Sequence, residues 1–278
     1  MSKTKYPTDM MLDFSPLGEA WLEIRWQLQP VKLTGQAQDP DFPFALGPFY
    51  KLVSSKYQHR KDLEVSRAPI DLFPHVVRHQ FWTGEAVWPV LQLGPGVATV
   101  NFTKPYNWAM FRAESQFLIE KLLEAYNGSL PPTESITLRY QNLEKFDYSS
   151  MDITSFLSSE LNTVFQLPKN VPGTFAKKAF PIGMNLQTEF ELLDPPGSAT
   201  IAISTGAQGK QPGVQVLAEN QNVAIWQLDV ASRAENAPAL SDLPSVLKWL
   251  DSAHAAIHEW FFSFVDGKLL SHYGGKHK

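Results

Sequence analysis

Residues Trp88 to Tyr126 constrain the fold of this chain more than any other stretch. They read as a strand (Val90 to Leu93), a tight turn at Gly94-Pro95-Gly96, a second strand (Val97 to Phe102), a short aromatic linker and an amphipathic helix. Val97, Thr99 and Asn101 point one way along the second strand; Ala98, Val100 and Phe102 point the other. Trp108, Phe111, Leu118, Leu122 and Ala125 then form one helical stripe. A period of two followed by a period near 3.6 needs a sheet with a helix against one face.

The same string is found twice. Leu22, Ile24, Trp26 and Leu28 alternate with polar residues in a first strand. A helix is expected from about Pro48 to His59, after a loop over 34–44, and Lys56 to Arg67 reads as a charged, solvated loop. Val76 to Trp82 is the next strand, leading into the stretch above, which Asn127-Gly128 and Pro131-Pro132 close. The second half restarts at Ile136 to Phe146, followed by a helix over Ile153 to Phe165 with Asp152 as N-cap. Strands at Phe180 to Leu192, Ala199 to Ser204 and Val223 to Val230 follow. A last helical stripe runs from Val246 through Trp249, Leu250, Ala253, Ile257, Trp260 and Phe261 to Phe264.

Each half therefore reads strand, helix, three strands, helix. The expected fold is α+β, a tandem pseudo-duplication with antiparallel sheet packed against long helices in the manner of saddle and helix-grip folds. Residues 1–15 are an N-terminal arm, 16–130 the first half and 131–278 the second, in one compact unit. Whether the halves share one sheet is left open by the sequence.

Composition narrows the function. With 44% hydrophobic and 19% charged residues the chain can bury an ordinary core. A net charge of −4 disfavours affinity built on nucleic-acid phosphates. There is no cysteine, which removes disulfides, thiolate nucleophiles and cysteine metal sites and suits a cytoplasmic setting. No signal peptide is expected, because no apolar run follows the basic first residues, and no run is long enough to cross a membrane. Eight Trp within 12% aromatic residues leave room for a recognition surface beyond the core.

Several residues are candidates for chemistry. His254 and His258 have the i, i+4 spacing of metal ligands, but no third ligand is marked and no glutamate stands between them as in a zinc protease. On the helical wheel His254 falls at the rim of the apolar stripe and His258 further out, so they are read as a partly buried histidine beside an exposed one, with no metal expected. Asn101, Tyr106, Asn107 and Trp108 sit where a strand hands over to a helix, either as a recognition corner or as a Trp staple with Asn capping the turn. Arg25, Arg139 and Asp229 lie on strands, where an Arg recognises a carboxylate or phosphate, or where Arg139 pairs with Asp229 to set register. Glu23 with Arg25, and Arg139 with Asn142, could line a face between the halves. Gly94-Pro95-Gly96 and the Gly206 to Gly213 segment with Lys210 lack the other parts of a phosphate loop and read as a turn and a loop. No G-x-S-x-G elbow is present.

Short motifs occur in a fixed order: Pro16-Leu17-Gly18-Glu19-Ala20, Glu23-Ile24-Arg25-Trp26, Leu91-Gln92-Leu93-Gly94, Val100-Asn101 and Tyr106-Asn107-Trp108. Leu138-Arg139-Tyr140-Gln141-Asn142, Leu228-Asp229-Val230 and Leu250-Asp251-Ser252-Ala253-His254 complete the set. Over nearly the whole chain this order resembles a sporadically distributed family of uncharacterised bacterial proteins of about this length. The resemblance implies a bacterial cytoplasmic protein of scattered occurrence, of the sort carried by mobile or defence-associated gene clusters. It brings no reaction and no catalytic residues. Gln141 stands where the family pattern leads us to expect an apolar residue.

The expectation is binding rather than catalysis, with no cofactor and no catalytic residue assigned. The leading reading is an interaction module for a protein partner, an immunity-type or accessory component, with a homodimer as a further expectation. The alternative is a small-ligand or nucleotide sensor, or an enzyme, with a pocket between sheet and helices lined by Asn101, Trp108, Arg139 and Tyr140. A third is nucleic-acid binding on a concave sheet face. The candidate ligand-binding set is Arg25, Asn101, Tyr106, Trp108, Arg139, Tyr140, Asn142 and Asp229. An apolar pocket with convergent polar groups would favour the small ligand, a flat apolar patch the protein partner and a basic concavity the nucleic acid.

Overall fold

The structure, a computed structural model, describes residues 6, 10, 12–30, 37–145, 152–166, 184–206 and 223–274. The Gly206 to Gly213 loop beyond Gly206, Phe180 to Gly183 of the expected strand and residues 34–36 lie outside the described residues.

In chain order the larger elements are β1 (Leu17–Trp26), two short strands β2 (Gln29–Pro30) and β3 (Ala37–Gln38), α1 (Phe42–Val53), β4 (His59–Asp62), β5 (His79–Gly84), β6 (Val87–Gly94), β7 (Val97–Phe102) and α2 (Trp108–Ala125). The second half holds β8 (Thr133–Lys145), α3 (Ile153–Glu160), β9 (Met184–Leu193), β10 (Pro196–Gly206), β11 (Val223–Arg233), α4 (Leu243–Val265) and α5 (Lys268–His272). Among the described residues one antiparallel sheet of nine strands runs β4-β5-β6-β7-β1-β8-β11-β10-β9. The protein is α+β, and the two halves share this sheet. They meet where β1 pairs with β8, Leu22 opposite Leu138 and Trp21 opposite Arg139. Leaving out the short edge strand β4, the order reads the same outward from this pair in both directions: the partner, the last strand of that half, then the two before it.

Alternation decides the layers. Ala20, Leu22 and Ile24 of β1, Ile136 and Leu138 of β8, and Leu228 and Val230 of β11 face the helices and are buried. They share one core with Phe49 of α1, Phe111 and Leu118 of α2, and Val246, Leu250 and Ile257 of α4. A second cluster joins Ile153 and Leu157 of α3 to Ile203, Trp226, Phe262 and Leu270 on the same side. The opposite parity carries Glu19, Trp21, Glu23, Arg25, Gln92, Thr99, Asn101, Arg139, Gln141, Gln227 and Asp229.

Several expectations need correction. The first helix begins at Phe42, not Pro48. The run Asp-Pro-Asp-Phe-Pro-Phe has loop composition, yet Pro43 sits in the first turn, where its missing N–H costs no bond. Residues 59–62 form the edge strand β4 although every one is polar or charged and exposed, which is how an edge avoids unwanted pairing. The helix at 153 ends at Glu160, short of Phe165. Asp152 does cap it, accepting from the Ser155 N–H at 3.2 Å. The described part of the arm is packed: Tyr6 stacks on Phe262 at 4.7 Å, and the Phe14 N–H donates to the Tyr273 carbonyl at 3.2 Å.

Asp39, in the loop before α1, is 2% exposed and holds the first half together. Its Oδ2 accepts from the Trp26 indole N–H at 2.9 Å, the Tyr126 hydroxyl at 2.9 Å and the Gly96 N–H at 3.2 Å. Its Oδ1 accepts from the N–H groups of Asp41 at 3.2 Å and Phe42 at 3.1 Å, at the start of α1. Gly96 takes φ +74° in the β6–β7 turn, a conformation that glycine adopts freely.

Candidate functional site

The sequence candidates fall on two sides of the sheet. Tyr106, Trp108, Tyr140 and Asn142 lie on the helix side; Arg25, Asn101, Arg139 and Asp229 lie on the other. Arg139 and Tyr140 are neighbours in the chain, so on a strand they must point apart. The expected pocket with Arg139 and Asn101 in its wall is therefore corrected: both residues face away from it. The same holds for Arg139 with Asn142, which occupy opposite faces of β8.

On the helix side lies a cavity of about 640 Å³, within the range typical of small-molecule sites. The arm (Met10, Leu12, Asp13, Ser15), the β7–α2 linker with the first turn of α2, β8 and α4 enclose it. The linker ends where the Asn107 side chain caps α2, accepting from the Met110 N–H at 3.1 Å. That cap sets Trp108 in the first turn, and its indole lies flat on the His254 ring, with centroids 3.7 Å apart and planes 6° apart. Trp108 thus ties α2 to α4, beyond its expected role as a staple on the sheet.

A polar chain crosses this wall. The Tyr106 and Tyr140 hydroxyls are hydrogen-bonded to each other, and the Tyr140 hydroxyl lies 3.0 Å from Nδ1 of His254. Burial pushes both phenols well above their usual range, and their mutual contact raises Tyr106 further. Both stay protonated at neutral pH and act as neutral hydrogen-bonding groups. Asn142, 2% exposed, also lines the cavity, and its amide nitrogen has no hydrogen-bond partner among the described residues. Ile257, Phe261 and Phe262 supply an apolar wall, while Lys104 and Asp13 bring the charges. His258 is as buried as His254, 9% against 8%, which corrects its expected exposure. The arm and α5 pack over that side of α4, which a helical wheel of α4 alone cannot show. No group of three or more metal-ligating residues exists among the described residues.

The other face carries a ladder of side chains. The Gln80 amide donates to Gln92 at 3.3 Å, Gln92 to Asn101 at 3.0 Å, and Asn101 to Glu19 at 2.7 Å. Across the seam, Arg139 donates to Asp229 at 2.6 Å, with its guanidinium 5.0 Å from the centre of the Trp21 ring. Gln227 donates to the other Asp229 oxygen at 3.0 Å, and Arg25 lies 2.8 Å from Glu23. Burial raises the carboxyl pKa of Asp229 despite Arg139, and that of Glu19 despite Asn101. Apart from Arg25, whose buried Nε has no hydrogen-bond partner among the described residues, these groups satisfy one another, and acids stand beside bases along the ladder.

Sequence reasoning missed Asp39, and did not place His254 or the arm in a cavity wall. Neither Asp39 nor the arm has a periodic signal; His254 was seen, but only as a helix-rim residue. No helix among the described residues is long and apolar enough to cross a membrane. Compared with family models, curated proteins and solved structures, the chain has no significant match.

Proposed function

We propose that the protein binds a small organic ligand in the cavity between the arm, β8 and α4, and that it binds this ligand without transforming it. The supporting observation is the cavity of about 640 Å³, whose largely apolar wall carries a few polar groups, Asn142 and the chain of Tyr106, Tyr140 and His254. The phenols add neutral hydrogen-bonding groups, Phe261, Phe262 and Trp108 suit a planar apolar body, and Lys104 suits a carboxylate or sulfonate. Binding is favoured over chemistry because, among the described residues, Asp13 is the only carboxylate in the wall and His254 is bonded to a phenol held protonated.

This reading ranks the small-ligand alternative above a protein-partner module. The mixed charges of the bare face argue against nucleic acid. A tandem origin of the two halves is part of the same reading, supported by the mirrored strand order. So is a cytoplasmic setting, supported by the absence of cysteine.

The test is titration with 8-anilinonaphthalene-1-sulfonate, an aromatic sulfonate, alongside native mass spectrometry of freshly purified protein. Saturable binding of one probe per chain is expected, abolished by Ala109→Trp. Ala109 is an exposed residue at the cavity wall, so the fold should tolerate the change. Absence of saturable binding together with absence of a co-purifying small molecule, or binding unaffected by Ala109→Trp, would sink the proposal.

A further inference from the structure

The two ends of the sheet are built differently. The β4 edge is four residues long, His-Arg-Lys-Asp, all exposed. The β9 edge is ten residues, Met-Asn-Leu-Gln-Thr-Glu-Phe-Glu-Leu-Leu, paired to β10 in unbroken register from Met184 to Leu193. It contains no Lys, no Pro and no bulge, the devices by which natural edges discourage pairing. Among the described residues no strand pairs with its outer side. Phe190 is 47% exposed, and its ring leans edge-on against Trp260 of α4 at 5.5 Å.

We infer that β9 pairs with β9 of a second copy of this chain, antiparallel about a twofold axis at Thr188, joining two sheets into one. A C2 contact must be self-complementary, and this register is. With Thr188 opposite itself, Leu186 faces Phe190 of the second copy and Met184 faces Leu192. That forms an apolar row on the helix side. On the other side Gln187 faces Glu189 of the second copy, and Asn185 faces Glu191. Each carboxylate thus meets an amide, the pairing that Asn101 and Glu19 already make within the sheet. Moving the axis by one residue to Glu189 sets glutamate against glutamate, which is repulsive. Moving it to Gln187 sets Leu186 against Thr188 and leaves Leu192 with no described residue opposite it. The apolar row and the charges therefore select one register.

The chain has no cysteine, so a single introduced thiol reports on this contact alone. Thr188 is exposed, and its replacement leaves the core intact. Sedimentation velocity over a micromolar concentration series is expected to show a dimer. Thr188→Cys should cross-link under copper–phenanthroline oxidation, since directly opposed residues of an antiparallel pair lie within disulfide reach. Ser159→Cys on α3 should not. Thr188→Arg places two cations face to face and is expected to raise the dimer dissociation constant about fivefold. A monomer throughout the series overturns the inference. So does a dimer that Thr188→Cys fails to link and Thr188→Arg leaves unchanged, because its interface then lies elsewhere.

Discussion

The two faces of the sheet draw on the same strands and treat polar side chains in opposite ways. On the face away from the helices, polar side chains bond sideways from strand to strand, from Gln80 through Gln92 and Asn101 to Glu19 and from Arg139 to Asp229, while Gln227 bonds to Asp229 along its own strand. On the helix side, Tyr106, Tyr140 and His254 form a short chain beside a cavity, and Asn142 keeps a buried nitrogen unpaired by the described residues. Polar groups that satisfy one another hold strands in register. The Asn142 nitrogen, by contrast, is a cost to the fold that no described residue offsets. Residue type alone does not separate the two uses; Asn101 and Asn142 are both asparagines on strands.

The largest test of this contrast is Arg139→Ala. It leaves the Asp229 carboxylate, 9% exposed, without its cation. Arg139 itself is 32% exposed, so water offsets part of the loss, and we expect about 2 kcal/mol of destabilisation in urea unfolding. Probe binding in the cavity should be unchanged, and a loss of it would erase the distinction between the faces. Asn142→Leu should do the reverse. Replacing an unpaired buried amide by an apolar group of similar size is expected to stabilise the fold by about 1 kcal/mol while weakening the probe. Destabilisation without an effect on the probe would place Asn142 with the structural groups.

A subtler effect comes from pH. Burial raises the Asp229 carboxyl above its ordinary range in the folded protein, so the folded state holds a proton that the unfolded chain has released. The associated stability is fully present below the ordinary carboxylate pKa near ~4 and is lost as pH rises through the raised value. Asp229→Asn removes this dependence. Unfolding midpoints measured across the acid range should fall more with rising pH in the native protein than in the variant. The smallest effect is expected for Arg25→Ala, about 0.5 kcal/mol or less, because both side chains of its pair with Glu23 are partly exposed. A cost well above 1 kcal/mol would mean that the bare-face seam depends on it.

How much could be read from sequence follows from these geometries. Alternation in β1 and β8 marked both the strands and their buried sides, whereas β7 is buried on both faces, which a period of two cannot show. The Asn127-Gly128 stop was legible too: the Gly128 N–H closes back on the Leu123 carbonyl at 2.7 Å. The ion pair of Arg139 with Asp229 was a stated alternative, and their cross-strand register brings it about. Grouping the eight candidates into one site failed for the same periodic reason, since adjacent strand residues part company. The cavity was invisible because its walls come from four separate segments. Asp39 was invisible because a loop aspartate flanked by Gln38 and Pro40 looks solvated until Trp26, Gly96 and Tyr126 converge on it.

The strand order also bears on how the molecule is made. Every partner of Asp39 precedes β8, so a chain leaving the ribosome holds the complete cluster before the second half exists. The second half cannot close in the same stepwise way. Among the described residues β9 joins the sheet only through β10, and β10 only through β11, the last of these strands to be synthesised. Until residues 223–233 emerge, β9 and β10 form a lone two-stranded ribbon, which is marginal in water. That interval, longer when translation slows, is when a chaperone or protease would meet this protein at its most open.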